Sequence, residues 1–358
     1  MKDKFLSRLD KIHFNIFKLV TFFTYYILTK NRCKKRVRLS SMEIKKINEF
    51  WKNYKIHFPF PIHEYEWYKM HDVELNPAII PDTIWHTYIE PYFNSYLMEK
   101  GFEDKNYLDM IINKNNAPLT ILRCIDYELL DGNYVYISND DALKIINKYN
   151  ELICKPSLES GGGRGISFIT NKSNLDLFEL IKQYHGNFVV QDMVEQHTFF
   201  SRFNSSSLNT LRIVTLIKDG KFYYLSGFLR VGAEGERLDN VSAGGSFIPV
   251  NKQGKLSEVA WIENLKNHDL EQIRLDSFKH FDNLNVPYWD EIMKLLEETA
   301  FKLSHFKIIN WDVSVDKNGV PIIIEYNLMD SSPYFHQLNV GPIFGDLTEE
   351  ILNNIFKI

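Results

Sequence analysis

The spacing of apolar residues changes character about a third of the way along the chain. Before that point, apolar and aromatic side chains recur at helical spacing in IHFNIFKLVTFFTYYILTK, SSMEIKKINEFWKNY and NPAIIPDTIWHTYIEPYFNSYLMEKG. Ser40 or Ser41 is predicted to cap the second helix, which the proline-rich FPFPIHEYEWYK then breaks. Asp82 is predicted to cap the third helix, and Gly101 to end it.

Beyond that point, short runs rich in β-branched and aromatic residues alternate with amphipathic stretches. The pattern predicts strands joined by the turn Asp131-Gly132, strands in ELICKP, ISFIT and NFVVQD, and a hairpin around Asp219-Gly220 that GGSFIPV continues. Helices are predicted in NDDALKIINKY, in NKSNLDLFELIKQYH with an Asn or Ser cap at 171–174, and in WDEIMKLLEETAFKLSHF. This alternation predicts an α+β fold.

Composition narrows the class of protein. The chain has 358 residues, enough for two or three packed units, and its 44% hydrophobic and 25% charged residues are typical of a globular protein. Its formal net charge of −4 gives no basic field that would attract nucleic acid. Three separated cysteines suggest neither a disulfide framework nor a zinc site, and they favour a cytoplasmic protein.

The N-terminal segment allows two interpretations. Residues 12–29 approach the length of a membrane span, but His13, Asn15 and Lys18 interrupt them. Aromatic residues followed by a basic cluster suit a membrane surface, and the cluster comprises Arg32, Lys34, Lys35, Arg36 and Arg38. The segment 12–38 is therefore either a membrane-surface anchor or a helix packed on the rest of the protein.

The stretch ELICKPSLESGGGRGISFIT contains a glycine-rich loop. The residues that follow it read as a strand, so the loop runs from strand to strand, which excludes the Walker A and Rossmann phosphate loops because both lead into a helix. Backbone N–H groups of such a loop can approach an anion, with Lys155 at its base and Arg164 near its tip. The alternative is a solvent-exposed hairpin with incidental charges.

The segment IINWDVSVDKNGVPIIIEYN predicts a hairpin that carries carboxylates. With a two-residue turn at Asn318-Gly319, Val315 faces Ile322, Val313 faces Ile324 and Asp312 faces Glu325. One face is then apolar (Trp311, Val313, Val315, Ile322, Ile324, Tyr326) and the other polar (Asn310, Asp312, Ser314, Glu325, Asn327). Opposed carboxylates repel unless a cation lies between them, and oxygen ligands suit Mg²⁺. The alternative is a hairpin with a solvated polar face.

These segments together resemble the ATP-grasp superfamily, and specifically the sugar-transfer-associated ATP-grasp proteins of bacterial surface-polysaccharide biosynthesis. The resemblance rests on the ordered set DKNYLD, ICKPSLESGGGRGISFI, LNTLRIVTL, LRVGAEGERLDNVSAGGSFIPV and WDVSVDKNGVPIIIEYN. It implies two α+β subdomains that clasp ATP, behind a helical N-terminal segment. Four parts of the chain follow from this. Residues 1–40 are an apolar and basic N-terminal segment that could associate with a membrane surface, and 41–103 are a helical, aromatic-rich domain. Residues 104–195 are the N-terminal ATP-grasp subdomain with the glycine-rich lid, and 196–358 are the C-terminal subdomain with the metal-binding hairpin.

The resemblance also implies roles for individual residues. Asp312, Glu325 and Asn327 match the ligands of Mg²⁺, expected as two ions with Mn²⁺ as a substitute, and Arg212 and Arg230 match catalytic cations that face the triphosphate or a substrate carboxylate. The residues that match ATP contacts are Lys105, Lys155, Ser160, Gly161, Gly162, Gly163, Arg164, Gly165, Gln191, Asp192 and Val194. Gln191 stands where many relatives have glutamate, and Asp239-Asn240 with Gly244-Gly245 resembles a flap on the acceptor side.

The activity implied is ATP-dependent joining of a carboxylic acid or amino acid, through an acylphosphate, to the amine or hydroxyl group of a sugar or glycan precursor, as in capsule synthesis. The protein would work in the cytoplasm or on the inner face of the plasma membrane. Two alternatives are an ATP-dependent kinase of a sugar or small molecule, and a nucleotide-bound scaffold of a glycan-assembly complex. No enzyme nucleophile is required, and Cys154 is assigned to packing.

Overall fold

A computed structural model of the chain describes residues 2–158, 163–170, 175–239, 244–263, 270–274 and 284–356, with side chains from residue 14 onward. The chain forms two compact units. The smaller comprises Met1–Ser95, His268–Leu270 and Met329–Ile358, and the larger comprises Tyr96–Asn267 and Glu271–Leu328.

The smaller unit is helical. Its N-terminal part contains α1 (Lys2–Arg32), α2 (Ser41–Trp51), α3 (Ile62–Met70), α4 (Asp82–Ile84), a π-helix (Trp85–Ile89) and α5 (Glu90–Phe93). Its C-terminal part contains α12 (Tyr334–Val340), a 3₁₀ turn (Gly345–Leu347) and α13 (Thr348–Phe356). None of the described helices is long and apolar enough to cross a membrane.

The predicted start of α2 is confirmed. Ser40 Oγ accepts a hydrogen bond from the Glu43 backbone N–H at 3.3 Å, and the Glu43 carboxylate accepts one from the Ser40 N–H at 2.6 Å, which together form a capping box. The proline-rich segment ends α2 as predicted, but α3 begins immediately after Pro61.

The predicted role of Asp82 is wrong. Pro81 occupies the N-cap position of α4, and the Asp82 carboxylate instead accepts a hydrogen bond from Arg32 Nη1 at 2.6 Å. The helical stretch ends at Asn94, well before Gly101, which lies in the separate helix α6 (Glu99–Phe102).

The larger unit is a mixture of strands and helices. After α6 it contains 3₁₀ turns at Lys105–Tyr107 and Lys114–Asn116, and helices α7 (Leu108–Ile111), α8 (Asn139–Ile146), α9 (Leu177–Gln183), α10 (Thr198–Ser201) and α11 (Trp289–Lys302). Its strands are β1 (Thr120–Ile125), β2 (Glu128–Asp131), β3 (Leu152–Pro156), β4 (Ser167–Ile169), β5 (Phe188–Asp192), β6 (Thr210–Lys218), β7 (Lys221–Val231), β8 (Ser246–Val250), β9 (Val259–Glu263), β10 (Leu270–Arg274, whose first residue counts with the smaller unit), β11 (Ile308–Val315) and β12 (Pro321–Asn327).

The strands form two sheets whose described pairs are antiparallel, in the orders β2-β1-β5-β3-β4 and β10-β9-β8-β7-β6-β11-β12. Ala142 and Ile146 of α8 pack into the core of the first sheet, and Ile292 and Leu296 of α11 into the core of the second. The predicted α+β class is therefore confirmed, and so is the strand-to-strand glycine loop, because β3 pairs with β4.

The predicted turn at Asp131-Gly132 is confirmed, because β2 leads through it to an antiparallel bridge between Leu130 and Tyr136. A further turn, between β1 and β2, lies at Asp126-Tyr127, whose φ angles of 49° and 70° suit a tight hairpin turn. One local prediction is wrong. The cap of α9 is Asp176, whose side chain accepts hydrogen bonds from two backbone N–H groups; the predicted cap residues 171–174 lie outside the described residues.

The hairpin of β11 and β12 combines a confirmed pair with a wrong register near its turn. Asp312 lies opposite Glu325 as predicted. Nearer the turn, Val315 pairs with Pro321 and Val313 with Ile323, one residue out of the predicted register. An irregularity between Asp312 and Val313 absorbs the difference, as a β-bulge does. As a result Ile323, and not Ile324, packs in the core.

Candidate active site

The larger unit contains a cavity of about 340 Å³ whose walls come from both sheets. The first sheet contributes β3, β4 and the end of β5, and the second contributes β6, β7, β11 and β12. The predicted site residues in its lining are Lys105, Lys155, Gly163, Gln191, Asp192, Val194, Arg230, Asp312 and Glu325. Arg164, Gly165, Arg212 and Asn327 do not line it, and Ser160, Gly161 and Gly162 lie outside the described residues.

Two lysines stand beside one carboxylate in the cavity. Asp104 caps the 3₁₀ turn that positions Lys105, whose Nζ lies 3.6 Å from Glu325 Oε2. Lys155 is 7% exposed, and burial lowers its pKa to about 8, with Glu325 opposing that change and the positive Lys105 adding to it. The two ammonium groups form a site where an anion would be stabilised.

The acidic side of the cavity is held by arginines. Arg212 donates two parallel hydrogen bonds to Asp312, from Nε to Oδ1 at 2.8 Å and from Nη2 to Oδ2 at 2.6 Å. Arg230 Nη1 donates a third to Asp312 Oδ2 at 3.0 Å. Burial alone would raise the pKa of Asp312, but the two guanidinium groups outweigh it and hold that pKa well below its usual range.

Asp239 extends this network. Arg230 Nη2 donates a hydrogen bond to Asp239 Oδ1 at 2.6 Å, and Thr210 donates one to the other oxygen. Burial raises the pKa of Asp239, although Arg230 opposes the change. Arg230 thus links two buried carboxylates in the wall of the cavity. Of the predicted acceptor-side flap, Asn240 lies outside the described residues.

The residues of the carboxylate hairpin fit a divalent cation. Asp312 and Glu325 are cross-strand neighbours, and Asn310 pairs with Asn327 on the next positions. The Nδ2 of Asn327 is buried without a hydrogen-bond partner among the described residues, and because this NH₂ group donates, it suits a phosphate oxygen while Oδ1 would be the atom for a cation. Two carboxylates and one amide form an oxygen donor set that Mg²⁺ prefers, and binding it would require Asp312 to exchange hydrogen bonds from Arg212 and Arg230 for the cation.

The segment after β5 crosses one end of the cavity. The Gln191 side chain is buried and donates a weak hydrogen bond to Thr120 at 3.4 Å. Ile153, Phe168, Val194 and Ile324 line the cavity here with apolar groups. Such a surface is suited to a flat aromatic ring, and Ile324 reaches it because of the register change in the hairpin.

One part of the wall could not be predicted. Arg237 lies between β7 and β8, yet its guanidinium stacks over the Phe168 ring at 3.5 Å and pairs with both oxygens of Glu151 at 2.9 Å. Next to it, a Cβ on Gly163 would lie 2.9 Å from Leu238, so glycine permits this approach. The sequence signal was the stretch GERLDN, which gives no indication of what Arg237 contacts.

The cysteine beside Lys155 takes no part in the cavity wall. Cys154 is fully buried, and burial raises its pKa to about 12. Cys154 belongs to the buried core of the first sheet, where no substrate reaches it, so its assignment to packing is confirmed.

Comparison with known proteins supports the resemblance drawn from the sequence. Residues 175–349 match the family described as sugar-transfer associated ATP-grasp. The resemblance is confirmed. The matched region contains both arginines and the carboxylate hairpin, whereas Lys105, Lys155 and the glycine-rich loop precede it. No curated protein sequence matches the chain.

Several solved structures are similar to the chain at low identity. D-alanyl-alanine synthetase A from Vibrio cholerae matches at 11% identity and a TM-score of 0.40, covering 72% of this chain and 65% of its own. An L-amino acid ligase from Bacillus licheniformis matches at 15% identity and a TM-score of 0.39, and the match covers 72% of this chain and 48% of the ligase. N5-carboxyaminoimidazole synthetase from Staphylococcus aureus, complexed with ADP, matches at 10% identity and a TM-score of 0.38, and the match covers 68% of this chain and 52% of the synthetase. The match thus spans between about half and two thirds of the length of these proteins.

Proposed function

We propose that this protein is an ATP- and Mg²⁺-dependent ligase. It would activate a carboxylic acid or amino acid as an acylphosphate and join it to the amine or hydroxyl group of a sugar or glycan precursor, in the assembly of a surface polysaccharide such as a capsule. The observation that carries this proposal is one cavity that contains Lys105 and Lys155 beside Asp312, Glu325 and Arg230. The match to sugar-transfer associated ATP-grasp proteins supports the sugar or glycan acceptor.

Different residues of the cavity would bind the phosphates, the adenine and the Mg²⁺ ion. Lys105 and Lys155 would hold the phosphates of ATP, since both ammonium groups border the cavity. The apolar end formed by Ile153, Phe168 and Ile324 would hold adenine. Mg²⁺ held by Asp312, Glu325 and Asn327, as one or two ions with Mn²⁺ as a substitute, would neutralise phosphate charge.

The reaction then needs positioning and charge neutralisation rather than an enzyme nucleophile. A substrate carboxylate oxygen attacks the γ-phosphorus of ATP, and the bond to the ADP oxygen breaks, giving an acylphosphate. The acceptor amine or hydroxyl attacks the acyl carbon, loses its proton, and phosphate leaves with the electrons of the C–O bond. Arg230, which lines the cavity, would stabilise the negative charge that develops, and Arg212 would contribute through its pair with Asp312, since electrostatic stabilisation is often the largest contribution.

The decisive experiment supplies purified protein with Mg²⁺-ATP and a panel of carboxylic acids and amino-sugars, and measures ADP and free phosphate. The proposal expects both products in equal amounts when acid and amine are present together. Hydroxylamine in place of the amine should give the hydroxamate of the active acid, which captures the acylphosphate. A stable phospho-sugar without free phosphate would instead identify a kinase.

We also propose that α1 contacts an anionic membrane surface. One face of this helix is exposed and apolar, with Ile16, Leu19, Val20, Phe23 and Ile27 each between 45% and 59% exposed. Three exposed lysines, Lys30, Lys34 and Lys35, lie at and just beyond the C-terminal end of this helix. Apolar side chains beside basic ones are typical of helices that lie in the headgroup region.

The basic cluster is smaller than the sequence predicts. Arg32 forms a buried ion pair with Asp82 at 2.6 Å, and Arg36 pairs with Glu66 at 2.9 Å. Co-sedimentation with vesicles of anionic and of neutral lipids tests the proposal. Binding to anionic vesicles should be lost in the double variant Val20→Glu and Phe23→Glu, and equal recovery of that variant would contradict it.

A further inference from the structure

A second group of metal-ligating side chains lies in the helical unit. One nitrogen of His86, one carboxylate oxygen of Glu90 and one of Asp330 all lie within 4.8 Å of one another. His86 belongs to the π-helix, Glu90 begins α5, and Asp330 lies in the segment before α12. All three residues belong to the same compact unit.

The three side chains are held in place by their neighbours. The Tyr25 hydroxyl donates a hydrogen bond to Asp330 Oδ1 at 2.7 Å, and its ring stacks on the His86 imidazole at 3.7 Å. Glu90 uses Oε2 for His86 Nδ1 at 2.8 Å and Oε1 for the backbone N–H of Ser331 at 3.2 Å. Such contacts orient ligand atoms before a metal arrives.

The charges of the group do not balance. Glu90 and Asp330 of the group are accompanied by Asp82 and by Glu64, whose carboxylate accepts a hydrogen bond from the Asp82 N–H at 2.6 Å. Of these four carboxylates, those of Glu64, Asp82 and Glu90 belong to residues no more than 3% exposed. Among the described residues, the cations paired with them are Arg32, which contacts Asp82 and Glu64, and His86 itself. Buried carboxylates in excess of their partners are costly unless a cation or protons compensate them.

Three buried polar atoms of these residues have no hydrogen-bond partner among the described residues. They are Nε2 of His86, a side chain 2% exposed, Oδ1 of Asp82, 1% exposed, and Nε of Arg32. Asp82 and His86 lie four residues apart in one continuous helical stretch, which places them on the same face. A polar atom left unpaired in the interior costs free energy, so these atoms point to a missing partner.

We propose that His86, Glu90 and Asp330 bind a divalent transition-metal ion, with Zn²⁺ as the expected occupant. An imidazole nitrogen with two carboxylate oxygens is a donor set that favours Zn²⁺ over Mg²⁺. Three protein ligands leave a coordination position for water or for another ligand. Asp330 is exposed, so the ion can reach the site from solvent. This site is separate from the Mg²⁺ site proposed for ATP.

The metal should also stabilise the helical unit. Through Tyr25 the site involves α1, and through Glu90 and Asp330 it joins α5 to the segment that begins at Met329. A metal that binds the folded state and not the unfolded chain stabilises the folded state in proportion to the logarithm of its concentration. The melting temperature should therefore rise with Zn²⁺ and return on addition of a chelator.

The test uses the full chain without an affinity tag, stripped with a chelator and free of nucleotide. Titration with Zn²⁺ by calorimetry should show one equivalent bound, and Co²⁺ in its place should give a visible absorption band. Asp330→Asn and His86→Asn should each weaken binding by about tenfold or more. The matched control Asp346→Asn, an exposed carboxylate of the same unit, should bind as the wild type does.

The variant pair Asp312→Asn with Glu325→Gln separates the two metal sites. It removes the carboxylates proposed to hold Mg²⁺ and should still bind one Zn²⁺, so failure of the proposed ligase activity leaves this result unaffected. Circular dichroism would show whether His86→Asn unfolds the protein. In that case Zn²⁺ binding by Asp330→Asn decides the test, because a change at the exposed Asp330 should leave the fold intact. Absence of Zn²⁺ binding in the wild type, or equal binding in Asp330→Asn, would overturn the proposal.

Discussion

Arg212 donates two parallel hydrogen bonds to Asp312 across neighbouring strands, at 2.8 Å and 2.6 Å. The geometry is that of a bidentate guanidinium–carboxylate pair, which is stronger than a single charged hydrogen bond. Asp312 is 3% exposed, and Arg230 is its second cation. The carboxylate proposed to bind Mg²⁺ is therefore neutralised by protein side chains in this structure.

Removing the Arg212 guanidinium should leave the negative charge of the Asp312 carboxylate with one cationic partner, Arg230. Arg212→Met is expected to lower the free energy of unfolding by about 2 kcal/mol at neutral pH, less than for a fully buried pair, because the Arg212 side chain is 30% exposed and Arg230 remains. Arg212→Lys keeps the charge but not the two parallel bonds and should lose less. Urea unfolding measures both.

The pH dependence of that loss follows from the pKa of Asp312. The folded protein holds this pKa below its usual value, so the pair stabilises the fold above the unfolded pKa of about 3.9 and ceases to do so as pH falls through the folded pKa. The difference between wild type and Arg212→Met should therefore shrink below about pH 4. An equal difference at pH 7 and at the acid end would show that lost packing, and not the charge pair, is responsible.

Lys155 predicts a pH dependence of ATP binding. Its pKa of about 8 means that the free protein loses this positive charge as pH rises through that value. If bound phosphate requires the ammonium form, the affinity for a non-hydrolysable ATP analogue should fall about tenfold between pH 7 and pH 9. Lys155→Arg keeps its charge throughout this range and should bind with a nearly constant affinity. A parallel decline in both proteins would exclude Lys155 as the titrating group.

The sequence predicted the carboxylate pair because side chains in a hairpin alternate between faces. Asp312 and Glu325 are opposed as expected, although the register near the turn is wrong. The turn has a backbone hydrogen bond from Gly319 to Asp316, which a two-residue turn at Asn318-Gly319 would not have. A β-bulge restores the predicted register at the site end, and a pattern of alternation cannot reveal a bulge in advance.

Contacts that depend on loop conformation could not be predicted in this way. Arg237 reaches Glu151 and Phe168 from a segment without regular structure, more than 65 positions away in sequence from either residue. The pairing of Arg212 with Asp312 was also missed, because it depends on β6 lying beside β11. Strand order is a long-range property that local spacing does not determine.

The metal ligands proposed on the hairpin can be separated from its structural role. Asp312→Asn and Glu325→Gln should each reduce Mg²⁺-dependent turnover of ATP by about a hundredfold, since charge neutralisation at the phosphates accounts for several kcal/mol of the barrier. Glu298→Gln, on the exposed surface of α11, is the matched control and should retain full turnover. If both hairpin variants bind ATP in the presence of Mg²⁺ with unchanged affinity, Asp312 and Glu325 are not the Mg²⁺ ligands.

Arg237 is expected to hold the glycine-rich side of the cavity closed. Its contacts with Glu151 and Phe168 join the segment after β7 to β4 and to the residue before β3, and all three side chains line the cavity. Arg237→Ala should therefore weaken binding of an ATP analogue about threefold to tenfold, chiefly through faster dissociation, as expected for a half-exposed ion pair with a cation–π contact.

A double-mutant cycle identifies the source of that effect. Glu151→Ala combined with Arg237→Ala should cost less than the sum of the two single changes, because each variant already removes the shared ion pair. Stopped-flow displacement of a fluorescent ATP analogue measures the dissociation rates of all four proteins. If the free-energy changes derived from the dissociation rates are strictly additive, Arg237 and Glu151 act independently. The effect of Arg237 on the cavity would then depend on its contact with Phe168 alone.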